Sequence, residues 1–151
     1  MQSPNIKNTI VLVEKNRPSI DVVAAVIVKE GKIFCAKREN SRYSYIYGKY
    51  EFPGGKVEEG ETHEQALKRE ISEELNINIE ILKYLTTVHH HYPDFSIILH
   101  AFICEIGHGN IVLNEHKEYK WLLPEQLQSV EWAAADKEII LRLISKKYDT
   151  K

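Results

Sequence analysis

Three carboxylates crowd a short segment, ALKREISEEL, in which Glu70 stands three residues before Glu73 and four before Glu74. On a helix those spacings make neighbours, and like charges so placed cost roughly 0.2–0.5 kcal/mol per pair. All three fall within an arc of about 100° bordering the apolar line Leu67, Ile71, Leu75. A solvated face with Lys68 and Arg69 as partners is the plain reading of such a charge run. A divalent cation is the other, because it turns the repulsion into coordination, and hard oxygen ligands suit Mg²⁺. Gly54-Gly55 lies just upstream and offers backbone carbonyls that can approach an ion closely.

The wider spacing decides between these readings. It runs Gly55, five residues, Glu61, seven residues, Arg69-Glu70, Ile71, one residue, Glu73-Glu74, one residue, Asn76, Ile77. This resembles the box of the Nudix hydrolases, and the preceding EFPGGKVEEGET resembles that family's lead-in. Asn76 stands where the family has Gly; Asn is the next best residue for a left-handed backbone, so the departure is mild. The resemblance extends from about residue 20 to 147.

That resemblance implies hydrolysis of a phosphoanhydride in a nucleoside diphosphate linked to another group, by water, with Mg²⁺ (or Mn²⁺) as cofactor. It implies Glu70, Glu73 and Glu74 as metal-ligand carboxylates, joined by the Gly55 carbonyl. Arg69 would orient the cluster, and Glu61 would hold the loop–helix turn. Arg38 and Lys56 match positions that approach phosphate in MutT-like members; a surface strand-end charge is the alternative for Arg38. Glu115, six residues before Trp121, matches a loop Glu that reaches the metals as ligand or general base in MutT-like and CTP pyrophosphohydrolase members. Otherwise it is a solvated loop residue. Asp136 follows Ala135 as in the cytidine-type members, where MutT-like 8-oxo-dGTP enzymes have Asn. An ionised carboxylate only accepts hydrogen bonds, so it suits the cytosine amino group and not guanine O6. The other reading of Asp136 is a helix N-cap. Trp132, four residues earlier, walls the base pocket or packs in the core.

The leading expectation is a hydrolase of CTP, dCTP or modified pyrimidine nucleoside triphosphates. The competing ones are an 8-oxo-dGTP sanitising enzyme, an ADP-ribose hydrolase and a non-catalytic nucleotide sensor. No box glutamate is lost, which disfavours the sensor. His89-His90-His91 reads as structural, since only His89 and His91 share a strand face. Tyr43, Tyr45, Tyr47 and Tyr50 either stack on a base or pack their loop onto the sheet. Cys35 and Cys104 sit in apolar runs as small buried thiols, with no Cys-x-x-Cys for zinc.

The elements that must position these groups are legible in outline. A continuous β-branched run over 20–28 predicts a strand buried on both faces, and Glu30-Gly31 turns it into a second strand. Thr62 and Gln65 form a capping-box start for a helix over 63–75, with Asn76 at its end. Pro53-Gly54-Gly55 predicts a tight feature that interrupts regular structure. Strands follow at 79–91, 95–106 and 118–123, then a short helical turn opened by Pro124 and an amphipathic helix from 134 to about 148. The order predicts an α/β fold, a Nudix-type α/β/α sandwich with a mixed β-sheet between helices. Residues 1–19 read as a tail or one short extra strand at 10–13, and 20–151 as a single domain.

Length, composition and charge fit that picture. The chain has 151 residues, 43% apolar and 28% charged, with 20 Lys plus Arg against 22 Asp plus Glu. A net charge of −2 gives no footprint for nucleic acid or an acidic membrane, and no apolar run approaches a membrane span. The expectation is a cytoplasmic monomer or homodimer whose partner is a nucleoside triphosphate substrate.

Overall fold

The computed structural model describes residues 18–39 and 41–146. The strand expected at 10–13 and the end of the last helix at 147–148 lie outside the described residues. Strands β1 (Ser19–Lys29) and β2 (Lys32–Arg38) form the expected hairpin. Glu30 and Gly31 both take positive φ, 53° and 78°, the pair of left-handed residues that a two-residue hairpin turn needs.

β1 organises the sheet. It runs parallel to β6 (Ser96–His108) from Ser19↔Ser96 to Ile27↔Cys104. Its first half also pairs antiparallel with β4 (Gly54–Lys56), whereas β2 meets it only at Val28 and Lys29. β5 (Asn78–His91) lies antiparallel to β6, and β2 carries β3 (Tyr50–Glu51) and β7 (His116–Leu122). Among the described residues the sheet therefore has seven strands and is mixed, with order β3-β2-β1-β6-β5 and β4 and β7 joined to β1 and β2.

Alternate residues of β1 feed two cores, as the two-residue strand period requires. Ala24 and Val26 pack with Leu99, Ala101 and Ile103 against Ile139, Ile140 and Leu143 of helix α2 (Ala134–Lys146). Val23, Ala25 and Ile27 pack with Phe102 and Cys104 against Leu67, Ile71 and Leu75 of helix α1 (His63–Leu75). Each fully buried Leu or Ile there is worth roughly 1.5–3 kcal/mol. The result is the expected α/β/α sandwich. Cys35 and Cys104 are buried free thiols, both pushed up to about 12 by burial.

α1 starts and stops where its caps dictate. Thr62 Oγ1 accepts from the Gln65 N–H at 3.1 Å, and Gln65 Oε1 accepts from the Thr62 N–H at 2.9 Å. Asn76 ends the helix in the left-handed region at φ 59°, its N–H donating to Ser72 O.

Two expectations need correcting. Gly54 and Gly55 do not interrupt regular structure; they form most of the short strand β4. The glycines serve close approach, because a Cβ on Gly54 would lie 1.9 Å from Val23 O. β7 also begins at His116, two residues earlier than expected, since a bulge between Lys37 and Arg38 lets Arg38 pair with His116. A 3₁₀ turn, Pro124–Ser129, leads towards α2. No helix among the described residues is long and apolar enough to cross a membrane.

Candidate active site

Arg69, in the second turn of α1, joins the β4–α1 loop to the helix. Its Nε and Nη2 donate to the two oxygens of Glu61 at 2.7 and 2.9 Å, and Nη2 also reaches Lys56 O at 3.0 Å. Its Nη1 donates to Glu70 Oε1 at 2.8 Å and Glu73 Oε2 at 3.4 Å. One guanidinium thus fixes the loop and aims two carboxylates, using the planar fork that Lys lacks. Glu61 accepts in addition from the Glu58 N–H, and the Arg69 hydrogen bonds hold its carboxyl below the usual carboxylate range. A Cβ on Gly55 would stand 2.3 Å from the Glu70 carboxylate, so only glycine lets that carboxylate lie against the β4 backbone.

Glu74 is only 2% exposed. Burial first, then the neighbouring Glu51, Glu115 and Glu70, push its carboxyl up to about 10. Two residues that the sequence did not single out form the wall behind it. Arg38 grips Glu51, Nε to Oε1 and Nη2 to Oε2, both at 3.0 Å. His116 Nε2 lies 2.8 Å from Glu51 Oε2. Burial alone would raise the Glu51 carboxyl, but the His116 hydrogen bond and the Arg38 guanidinium more than offset it and hold it low. His116 Nδ1 faces Glu74 Oε1 at 3.9 Å and is a buried nitrogen without a hydrogen-bond partner. The one sequence signal for this pair was an acidic residue between Tyr50 and Phe52 and a histidine beside Glu115.

Glu115 is exposed, on a loop tied to the C-terminal carbonyls of α1. Val112 N–H donates to Leu75 O, Asn114 N–H to Glu74 O, and Asn114 Nδ2 to Glu73 O at 2.7 Å. The loop satisfies helix-end carbonyls and so brings Glu115 near enough to act on Glu74 and Arg38. Even so, no three of Glu70, Glu73, Glu74 and Glu115 each bring a carboxylate oxygen within 4.8 Å of the others. Glu70 and Glu74 are close enough for their carboxyls to interact, while Arg69 draws Glu70 and Glu73 towards itself.

Gly55, against which the Glu70 carboxylate lies, lines a cavity of about 510 Å³ together with Arg38, Glu51, Lys56 and Asp136. Asp136 is the third residue of α2 and 7% exposed. It is not an N-cap; its Oδ1 accepts from the Phe52 N–H at 2.9 Å, across from β3. Burial, then Glu51, push its carboxyl up to about 8. Raised in this direction, the carboxyl favours its protonated form, which offers a donor beside an acceptor, whereas the ionised form expected from the sequence only accepts.

The far end of the cavity is aromatic. Tyr43 stacks on Tyr45 at 5.3 Å, Tyr45 on Tyr92 at 5.4 Å, and Tyr92 meets Phe95 at 5.2 Å. Tyr43, Tyr92 and Phe95 line the cavity, so the tyrosine loop both packs on the sheet and faces the space. Tyr47 is exposed, and Tyr50 is buried with its hydroxyl on Glu118. Trp132 does not wall this cavity. It is 3% exposed, 4.8 Å from the Phe52 ring, and its Nε1 donates to Leu127 O. An indole with its N–H satisfied inside the core is a packing residue. His90 and His91 are engaged with Glu138 and Ser96, consistent with structural roles.

A mixed-sheet sandwich whose first helix carries arginine-held carboxylates, beside a cavity lined by Arg38, Lys56 and Gly55, is a hydrolase architecture for acidic substrates. The chain belongs to the Nudix family: the model of the NUDIX domain matches residues 17–143. It is 38% identical over 117 residues to a CTP pyrophosphohydrolase of Escherichia coli, covering 78% of this chain and 85% of that protein. It is 31% identical over 120 residues to an 8-oxo-dGTP diphosphatase of Buchnera aphidicola, covering 80% and 89%. Among solved structures, a MutT protein from Methanosarcina mazei superposes with a TM-score of 0.78 at 28% identity, covering 89% and 99%. The protein is thus a Nudix hydrolase, and hydrolases of this family generally need a divalent metal.

Proposed function

We propose that the chain hydrolyses nucleoside triphosphates to the monophosphate and pyrophosphate, with CTP, dCTP or modified pyrimidine nucleotides preferred. The observation that carries this reading is a cavity lined by Arg38, Glu51, Gly55, Lys56 and the buried Asp136 carboxyl, with the Arg69-held Glu70 lying against its Gly55 wall. The residues fit a divalent cation on three counts. Gly55 cradles Glu70 where a Cβ would clash, His116 Nδ1 is an unpartnered buried nitrogen, and Glu74 is buried among other carboxylates. Glu70, Glu73, Glu74, Glu115 and the Gly55 carbonyl would hold Mg²⁺ or Mn²⁺. When bound, such an ion supplies Lewis acidity towards phosphate oxygens and water.

The chain's own residues do the rest. Arg69 positions Glu70 and Glu73, and Glu61 anchors Arg69. Lys56 and the outward side of the Arg38–Glu51 pair meet phosphate. Glu115 assists as a base over the helix end. Asp136 reads the base: a neutral carboxyl matches the acceptor–donor edge of cytosine, N3 and the N4 amino group. The 38% identity to a CTP pyrophosphohydrolase supports the same reading. The same carboxyl also matches an acceptor–donor edge of guanine, which supports 8-oxo-dGTP as the second reading alongside the diphosphatase relatives. The working unit is a single domain of residues 20–151, with 1–19 a tail or extra strand, acting on free nucleotides in the cytoplasm as monomer or homodimer.

A panel of CTP, dCTP, 5-methyl-dCTP, 8-oxo-dGTP and ADP-ribose with Mg²⁺ tests this by kcat/KM and product chromatography. Highest kcat/KM on a cytosine nucleotide with pyrophosphate released is expected. Release of inorganic phosphate, or full activity in EDTA, refutes the reaction; preference for 8-oxo-dGTP refutes the base assignment.

A further inference from the structure

A second constellation of ligating groups lies outside the glutamate cluster. Among the described residues, Asp21, His63 and His100 are the set of His, Cys, Asp or Glu whose ligand atoms all lie within 4.8 Å of one another. His100 Nε2 is 2.7 Å from Asp21 Oδ1, and His63 Nε2 is 3.3 Å from Asp21 Oδ2. The two imidazoles stack with centroids 3.9 Å apart and planes 22° from parallel, so one carboxylate serves both rings.

The fold brings these residues together by register. Asp21 and Val23 share one face of β1; Val23 pairs with His100 on β6, and His100 pairs with Thr87 on β5. Further along β1 this face is apolar, with Val23, Ala25 and Ile27 under α1. It turns polar where α1 begins, and His63 is the first residue of that helix.

We propose that Asp21, His63 and His100 bind a borderline divalent transition metal of the Zn²⁺ class, at a site distinct from the catalytic cluster. Two imidazoles and one carboxylate are a Zn²⁺ donor set, and imidazole nitrogen disfavours Mg²⁺. Ligands at about 2.0–2.1 Å in a tetrahedron put donor atoms about 3.3 Å apart. His63 Nε2 stands 3.3 Å from Asp21 Oδ2 and His100 Nε2 2.7 Å from Asp21 Oδ1, so side-chain rotation brings both nitrogens to that spacing around one carboxylate oxygen. The side chains are 44%, 38% and 15% exposed for Asp21, His63 and His100, so an ion has a path in and the fourth position faces water. His100 Nδ1 lies 3.0 Å from Thr87 Oγ1, which is itself 2.6 Å from the Tyr84 hydroxyl. That outer partner orients the ring, and when it accepts from Nδ1–H it leaves Nε2 free for metal. The bound ion clamps the start of α1 to β1 and β6, and so braces the helix that carries Glu70, Glu73 and Glu74.

Calorimetric Zn²⁺ titration of the full chain, with saturating Mg²⁺ in a Glu74→Gln background, isolates this site, and ¹⁵N spectra of the histidine side chains identify its ligands. One Zn²⁺ per chain is expected, with the Nε2 resonances of His63 and His100 shifted. Affinity should fall by at least about 100-fold in His63→Ala and His100→Ala, and about 10- to 100-fold in Thr87→Val. His63 is partly exposed at a helix start, so His63→Ala keeps the test decisive if His100→Ala unfolds. No Zn²⁺ bound under these conditions, undiminished affinity in His63→Ala, or shifts at His89–His91 instead would overturn the proposal.

Discussion

Replacing Asp136 by Asn removes one buried ionisation and keeps the shape and the acceptor for the Phe52 N–H. The Asp136 carboxyl rises from 3.8 in the unfolded chain to about 8 in the fold, through burial and then the nearby Glu51. Between those values the unfolded chain has lost a proton that the folded chain retains. Folding stability therefore falls as pH rises through this window, by about 1.4 kcal/mol per pH unit, and levels off above about pH 8. From about pH 5 to about pH 7 this amounts to roughly 3 kcal/mol. In a domain of this size that corresponds to roughly 6–10 °C in Tm. The amide of the Asp136→Asn protein has nothing to titrate, so the variant lacks this component.

The assay is a melting curve for both proteins at several pH values in metal-free buffer. The difference in Tm should widen steadily in favour of Asp136→Asn from about pH 5 to about pH 8, then stay constant. Groups whose carboxyls are held low, Glu51, Glu61 and Glu131, change stability only on the acid side of this window. Parallel profiles for the two proteins would refute the claim that Asp136 is protonated in the folded state, and with it the acceptor–donor reading of the base edge.

Other outcomes follow from the site geometry. Glu74→Gln should lower kcat by about 10³ or more while far-UV circular dichroism is unchanged; a folded variant with full activity would remove Glu74 from the machinery. Glu115→Gln should lose about 10- to 10³-fold in kcat, and an unchanged rate would return Glu115 to a solvated loop role. Gly55→Ala puts a Cβ 2.3 Å from the Glu70 carboxylate, so it should displace Glu70, cost roughly 1–3 kcal/mol by thermal melting and abolish most activity.

What the sequence revealed was governed by neighbours along the chain. The capping box at Thr62 and Gln65, the left-handed Asn76 and the Glu30-Gly31 turn are local rules, and each appears in place. The Glu61–Arg69 fork spans only eight residues. What it hid depends on distant pairing. Glu51 and His116 are 65 residues apart and meet only because β3 and β7 both pair with β2. The Asp136 carboxyl takes its ionisation from burial first and then from Glu51 on the distant strand β3, so its type was readable and its charge state was not. Trp132 was ambiguous for a related reason: an indole beside a site residue is a wall or a packing group according to where its N–H finds an acceptor, and here that is Leu127 O.

The distribution of charge around the cavity argues for its chemistry more strongly than any single residue. Glu51 and Asp136 line the cavity, Glu70 lies against its Gly55 wall, Glu51 and Glu115 act on Glu74, and Arg38 and Arg69 are already engaged with Glu51, Glu61 and Glu70. Each guanidinium is already largely balanced by the carboxylate it holds, so the two together cannot neutralise a triphosphate. The fold accommodates this crowding by burying Glu74 and Asp136, which pushes both carboxyls upward towards their neutral forms, and leaves His116 Nδ1 without a partner. Such an arrangement costs stability in the isolated protein. That cost is offset when a divalent cation joins the acidic helix to an acidic substrate, because one ion then relieves the repulsion on both sides. Metal should therefore raise the melting temperature of the protein alone and tighten nucleotide binding in the same titration, and a cation that did only one of these would separate the glutamate cluster from the phosphate site.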